Sequence, residues 1–147
     1  MRLTLDVNGT RREIEARTDE MLMDVLRREL GLLSVRETCG IGVCGACTVL
    51  VDGAPISGCL MLAAAAEGRE VVTVEGLGGD DPVQRAFVEA HAFQCGYCTP
   101  GMILAAKGLL AEIQSPSETE IRESLSGNLC RCGCYVKIAD AVRRAAA

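Results

Sequence analysis

Nine cysteines in a chain of 147 residues fall into two quartets with one left over. Cys39, Cys44 and Cys47 are spaced C-x4-C-x2-C, and Cys59 follows after eleven intervening residues. Cys95 and Cys98 form C-x2-C, and Cys130 and Cys132 form C-x-C; Cys134 is the remainder. An odd count does not close into a disulfide framework. Such frameworks also belong to oxidising compartments, and the opening MRLTLDVNGT has no apolar stretch behind its basic residue to act as an export signal. Reduced thiolates that bind metal are the favoured reading, so any fold for this chain must gather four thiols twice.

The pattern between the cysteines suggests an α+β chain. Leu3, Leu5 and Val7 alternate with Arg2, Thr4 and Asp6, the period of a half-buried strand. Asn8-Gly9 accepts a tight hairpin turn, and Arg11 to Ala16 alternates again. Thr18 or Asp19 is expected to cap a helix with Leu22, Val25, Leu26 and Leu30 on one face, ended by Gly31. Thr48 to Val51, Pro55 to Cys59 and Glu70 to Glu75 read as further strands, with Asp52-Gly53 as a turn. Four or five short strands with a helix after the second imply a β-grasp arrangement.

Gly76-Leu77-Gly78-Gly79-Asp80 is a junction, which divides the chain into residues 1–77 and 78–147. Beyond it the pattern is helical. Asp81-Pro82 starts one helix with Val83, Phe87 and Ala90 on a face, and Thr99-Pro100 starts an apolar one from Gly101 to Ile113. Ser117 to Glu120 has the spacing of a capping box, and Val136 to Ala146 forms the last helix. Met102, Ile103, Leu109 and Leu110 make the second helix strongly apolar; core packing is the first explanation and a partner's surface the second. Units this small struggle to bury enough apolar surface alone, so cofactors or partners should help hold them.

The first quartet has the C-x4-C-x2-C…C spacing of a plant-type [2Fe–2S] cluster. Each iron needs two soft thiolates, and the four leave a net charge of about −2 that grows to about −3 on reduction. Amides aimed at the sulfurs stabilise that charge. Gly40, Gly42 and Gly45, set among the ligands, let the backbone approach. A structural zinc site is the competing reading, but zinc knuckles pair two short C-x2-C units. For the second quartet, composition alone divides evenly between zinc and iron–sulfur. Cys98 precedes one helix and Cys130 and Cys132 precede another, so helix N-termini would face an anionic group.

Three stretches together resemble the small subunit, or N-terminal region, of the xanthine oxidase family of molybdenum hydroxylases. They are Cys39-Gly-Ile-Gly-Val-Cys-Gly-Ala-Cys-Thr48, Gln94-Cys-Gly-Tyr-Cys-Thr-Pro-Gly-Met102 and Gly127-Asn-Leu-Cys-Arg-Cys132. The resemblance covers essentially the whole chain. It implies a plant-ferredoxin-like β-grasp domain followed by a four-helix-bundle domain, each with one [2Fe–2S] cluster. It implies that Cys39, Cys44, Cys47 and Cys59 hold the outer cluster, nearer a flavin. Cys95, Cys98, Cys130 and Cys132 would hold the inner one, nearer molybdenum, with Gln94 and Cys132 touching the pterin. Molybdopterin, as the cytosine dinucleotide, and FAD are then expected in a large and a medium partner subunit, in a dimer of heterotrimers. In such a complex the chain relays single electrons and does no substrate chemistry. The family usually continues Cys-Arg-Cys-Thr-Gly-Tyr, whereas Gly133-Cys134-Tyr135 follows Cys132 here. Cys134 reads as a spare buried thiol, with competition against Cys132 for the metal as the sharper alternative.

Other features narrow the function. His91 is the only histidine, so a Rieske-type centre with two histidine ligands is excluded, and His91 reads as an ordinary packing or surface residue. There is no dinucleotide fingerprint, Walker loop or Ser/His/Asp set, and no catalytic residue is proposed. The net charge of −5 argues against a nucleic-acid partner, and no apolar run is long enough for a membrane span. The chain reads as soluble and cytoplasmic, with export alongside a partner that carries the signal as the alternative. Two rivals stand beside the relay: a free-standing two-cluster ferredoxin and a non-redox zinc-binding interaction module.

Overall fold

Strand β1 (Arg2–Val7) turns through Asn8 and Gly9, both at positive φ, into β2 (Thr10–Glu15), and the two pair antiparallel with Leu3 opposite Ile14. A computed structural model describes all residues 1–147. The register puts Leu3, Leu5, Val7 and Ile14 on one buried face. Helix α1 (Leu22–Leu30) covers that face with Leu22, Met23, Val25 and Leu26, and Gly31 ends it at φ 65 as its position predicted.

The start of α1 differs from the sequence expectation. Neither Thr18 nor Asp19 caps it; the N-cap is Met21, without a side-chain bond. Asp19 pairs with Arg17 at 2.6 Å instead. The free amides of Leu22 and Met23 donate to the carbonyls of Met61 and Gly58, at 2.7 and 3.0 Å. Backbone from a distant loop thus does what a capping side chain would do.

Strands β3 (Thr48–Val51) and β4 (Ala54–Ser57) form a second hairpin around Asp52-Gly53. Strand β5 (Glu70–Val72) lies parallel to β1 and antiparallel to β3, which gives the sheet order β2-β1-β5-β3-β4. This is the β-grasp arrangement. β5 is shorter than the Glu70–Glu75 expected: Val74–Leu77 is a 3₁₀ turn. The Thr73 amide donates to Asn8 Oδ1 at 2.8 Å rather than to a neighbouring strand, and that ends the ladder.

Four helices follow: α2 (Pro82–Glu89), α3 (Thr99–Glu112), α4 (Glu118–Ser124) and α5 (Tyr135–Ala146). Asp81 caps α2 and Ser117 caps α4 in a capping box with Glu120, as the sequence predicted, and Gln84 completes a second such box at Asp81 that was not anticipated. Cys98, not Thr99, occupies the N-cap position of α3, and Cys134 that of α5. A second core gathers Val83, Phe87, Met102, Ile121, Ile138 and Val142, and Val74 and Leu77 pack against it.

Helix α3 explains its own composition. It packs against α2, α4 and α5 on one side and against β3 and β4 on the other, so it is apolar nearly all round. Gly108 meets Pro55 so closely that a Cβ there would overlap the proline ring. No helix is long and apolar enough to cross a membrane.

Candidate metal centres

The loop between α1 and β3 carries Cys39, Cys44 and Cys47, and Cys59 follows β4. Gly40, Gly42 and Gly45 sit at φ 68, 76 and 72, so the backbone turns its amides inward. Ile41 N–H points at Cys39 Sγ at 3.4 Å, Ala46 N–H at Cys44 Sγ at 3.5 Å, and Cys59 N–H at Cys47 Sγ at 3.4 Å. At Gly42 a Cβ would overlap the Leu60 side chain, which lies across the loop. Cys59 is fixed from both sides: Gly58 N–H donates to the Cys47 carbonyl at 3.2 Å, and the Gly58 carbonyl caps α1.

The second set comes from two loops. Cys95 and Cys98 lie between α2 and α3, and Cys130 and Cys132 between α4 and α5. Tyr97 N–H points at Cys95 Sγ at 3.5 Å and Cys134 N–H at Cys130 Sγ at 3.4 Å. Cys130 N–H donates to the Tyr135 hydroxyl at 2.8 Å. Gln94 is exposed directly before Cys95, and Cys132 is half-buried. The extra thiol, Cys134, is buried in the helical core beside Cys130.

Acidities within each set diverge. Amides of Ile41, Cys44 and Val43 hold the Cys39 thiol down to about 6. Burial pushes Cys47 up to about 11, with neighbouring Cys59 adding to it. Burial likewise pushes Cys98 up to about 12, and Cys130 beside it adds to the shift. Burial resists ionisation at Cys130 too, but the Cys134 amide and the Cys98 and Cys134 thiols outweigh it and lower its pKa. Packed thiols cannot all ionise on their own; a cationic core would let them.

The donor set suits an iron–sulfur core. No three Cys, His, Asp or Glu side chains converge as ligands of one ion would. Within each set the thiols neighbour one another: Cys44 acts on Cys39, Cys59 and Cys44 on Cys47, and Cys130 and Cys95 on Cys98, while Cys130 also neighbours Cys134. A binuclear cluster takes two thiolates at each iron, with amides donating to sulfur.

The two sets meet along a seam that the sequence did not mark. Leu129 N–H donates to the Cys44 carbonyl at 2.9 Å. Buried Asn128 donates through Nδ2 to the Gly45 carbonyl at 3.0 Å and to Thr48 Oγ1 at 3.2 Å. Tyr97 donates its hydroxyl to the Glu37 carbonyl at 2.8 Å, under the Arg36 guanidinium 5.2 Å from its ring centroid. Asn128 and Tyr97 lie inside the motifs quoted above, but spacing carries no sign of what they touch. His91 is exposed at φ 50 after α2, a surface residue.

Comparison with known proteins agrees with this geometry. Residues 5–73 match the family described as 2Fe-2S iron-sulfur cluster binding domain, and residues 73–143 match the [2Fe-2S] binding domain family. The nicotinate dehydrogenase small FeS subunit of Eubacterium barkeri is 48% identical over 97% of this chain and 93% of its own length. The xanthine dehydrogenase iron-sulfur-binding subunit of Escherichia coli is 48% identical over 92% and 88%. Among solved structures, quinoline 2-oxidoreductase from Pseudomonas putida 86 superposes with a TM-score of 0.95 at 45% identity, covering 99% of this chain and 93% of that one. With two cysteine-bearing domains of the matching families in the matching order, the chain belongs to the small iron–sulfur subunits of the xanthine oxidase family of molybdenum hydroxylases.

Proposed function

We propose that this chain is the electron-transfer subunit of a multi-subunit molybdenum hydroxylase, passing single electrons from a molybdopterin site to FAD. The observation that carries the reading is the meeting of two thiol quartets, each rooted in its own core, across one hydrogen-bonded seam. Cys39, Cys44, Cys47 and Cys59 are the ligands we assign to the outer cluster. Cys95, Cys98, Cys130 and Cys132 are those of the inner cluster, and residues 1–77 and 78–147 are the two units that hold them. Each cluster, when bound, supplies a one-electron couple.

The chain's own residues set the terms of that transfer. Amides of Ile41, Ala46 and Cys59 meet the charge that grows on the outer sulfurs, and those of Tyr97 and Cys134 do so at the inner ones. Burial of Cys47, Cys59 and Cys130 keeps water from these sulfurs. Rigid packing of α3 between sheet and bundle holds the two loops at one spacing.

Substrate chemistry belongs to a large subunit binding molybdopterin cytosine dinucleotide, and FAD to a medium subunit. We place the three in a dimer of heterotrimers in the cytoplasm. Gln94 and Cys132 are the residues we assign to the pterin; neither is fully buried, so both remain reachable by a partner.

The test is to purify the chain with whatever copurifies, count iron and acid-labile sulfide, and record EPR during stepwise reduction. About four irons per chain and two distinct S = 1/2 signals are expected, with molybdenum and flavin in the same preparation. A colourless, zinc-loaded protein would sink the reading. A two-cluster protein that never copurifies with larger subunits would make it a free-standing carrier.

A further inference from the structure

One buried thiol has no part in the two quartets. Cys134 is 4% exposed and sits in the helical core with Cys130, Ile138 and Val142. A tight turn brings it there. Gly133 N–H donates to the Cys130 carbonyl at 3.2 Å, and Gly133 takes φ 77. The chain thereby doubles back, and Cys134 N–H points at Cys130 Sγ at 3.4 Å. Cys134 then opens α5 at φ −76 and ψ 13, and its side chain makes no cap bond to the helix. A capping side chain reaches the free amides from extended backbone. From this helix-like backbone the thiol lies against Cys130 instead, within hydrogen-bond reach of its sulfur.

We infer that the Cys134 thiol is a second donor to Cys130 Sγ, a positioning residue that acts through that ligand to raise the reduction potential of the inner cluster. The inference rests on the two-cluster reading above and leaves Cys132 as the ligand. A thiol buried among apolar side chains keeps its proton, so Cys134 has an S–H to give. Cys130 as a ligand is a thiolate, and hydrogen bonds to a charged acceptor are roughly twice as strong as neutral ones. Reduction takes the cluster from about −2 to about −3. Its sulfurs gain charge, the S–H contact strengthens, and the reduced form is favoured. One electron enters, no bond forms or breaks, and the proton stays on Cys134.

No other sulfur here has such a neighbour. At Cys39, Cys44, Cys47 and Cys95 the donors, apart from the ligands' own thiols, are the backbone amides of Ile41, Ala46, Cys59 and Tyr97. An amide is supplied by the fold whatever residue carries it, whereas the S–H depends on the side chain at position 134. Donors also gather at Cys130, where the Cys132 amide faces the same sulfur. Hydrogen bonds to sulfur are among the terms that set a cluster's potential, and this one can be removed without touching a ligand.

The experiment uses the complex isolated with its partners. EPR-monitored redox titration gives a midpoint potential for each cluster, and iron is counted on the same samples. Cys134→Ala removes the donor and is expected to keep both signals and about four irons per chain. At one fixed potential its inner cluster should be severalfold less reduced than in the wild type, with the outer one unchanged; a tenfold change would be about 59 mV for one electron. Cys134→Ser keeps an O–H donor and is expected to match or exceed the wild-type potential. Should Cys134→Ala lose iron, Cys134→Val fills the space without a donor and carries the same comparison against serine. A wild-type potential in Cys134→Ala would overturn the inference. So would an equal fall in Cys134→Ser, since altered packing would then explain both. Loss of iron in both Cys134→Ala and Cys134→Val would make the thiol a ligand and overturn it too. A single signal with about two irons in the unaltered protein is a distinct failure, of the two-cluster reading itself.

Discussion

Asn8 and Thr73 clasp each other through two hydrogen bonds: Thr73 N–H donates to Asn8 Oδ1 at 2.8 Å, and Asn8 Nδ2 donates to Thr73 Oγ1 at 2.9 Å. Asn8 is a turn residue at φ 52, and Thr73 is completely buried where the chain leaves the sheet for the helical domain. One side chain therefore shapes the first hairpin and also ties down the joint between the two cores. Asn8→Gly keeps the turn, since glycine accepts positive φ, but strands a buried amide. The expected loss is about 1–3 kcal/mol in denaturant unfolding; a change within experimental error would show that water replaces the clasp.

Asp81 does two things at the start of α2. It caps the helix through Val83 N–H at 2.9 Å and pairs with Lys107 on α3 at 2.6 Å, with only 14% of its side chain exposed. Asp81→Ala should cost about 2 kcal/mol, a cap of about 1 kcal/mol plus the pair. Lys107→Met should cost less, because the cap survives. Equal losses in thermal unfolding of the two variants would place all the energy in the pair.

Gly108 tests how tightly the helical unit sits on the sheet. Alanine in a helix gains up to about 1 kcal/mol over glycine, but here the added Cβ overlaps Pro55. Overpacking costs about 1–3 kcal/mol, so Gly108→Ala should destabilise the protein on balance. A higher Tm in that variant would mean that β4 yields easily.

Glu75 links the stretch after α1 to the joint. Burial alone would raise its pKa, yet the Ser34 and Thr73 hydroxyls and the Ser34 amide outweigh that and hold it below the usual glutamate range. A depressed carboxylate stabilises above its unfolded pKa and loses that contribution as pH falls through its folded value. Acid titration of unfolding should therefore show wild type losing stability below the ordinary glutamate range, and Glu75→Gln showing a flatter acid limb. Identical acid limbs would remove Glu75 from the account.

Cys132 and Cys134 separate by burial and by substitution. Cys132→Ser should abolish one of the two EPR signals, whereas Cys134→Ala should keep both and about four irons per chain. Loss of a signal in Cys134→Ala would make the extra thiol a ligand and release Cys132 from that role.

Much of this architecture is legible locally. Alternation over Leu3, Leu5 and Val7, the turns at Asn8-Gly9 and Asp52-Gly53, the Asp81 cap before Pro82 and the capping box at Ser117 are short-range signals, and the folded chain keeps each one. The start of α1 and the end of β5 were not legible. Their amides find partners in Met61, Gly58 and Asn8, all distant in sequence.

By itself the sequence determined the two thiol quartets, the two kinds of secondary structure around them and the family they belong to. Those depend on spacing along the chain and on the local geometry that glycine, proline and capping residues impose. Only the tertiary structure decided that α3 is covered on both sides, that Cys134 lies buried next to Cys130, and that Leu129 meets Cys44 while Asn128 spans to Gly45. Those relations join loops 83 residues apart in the case of Asn128 and Gly45. They arise because burying both apolar faces of one helix forces the two metal-binding loops together.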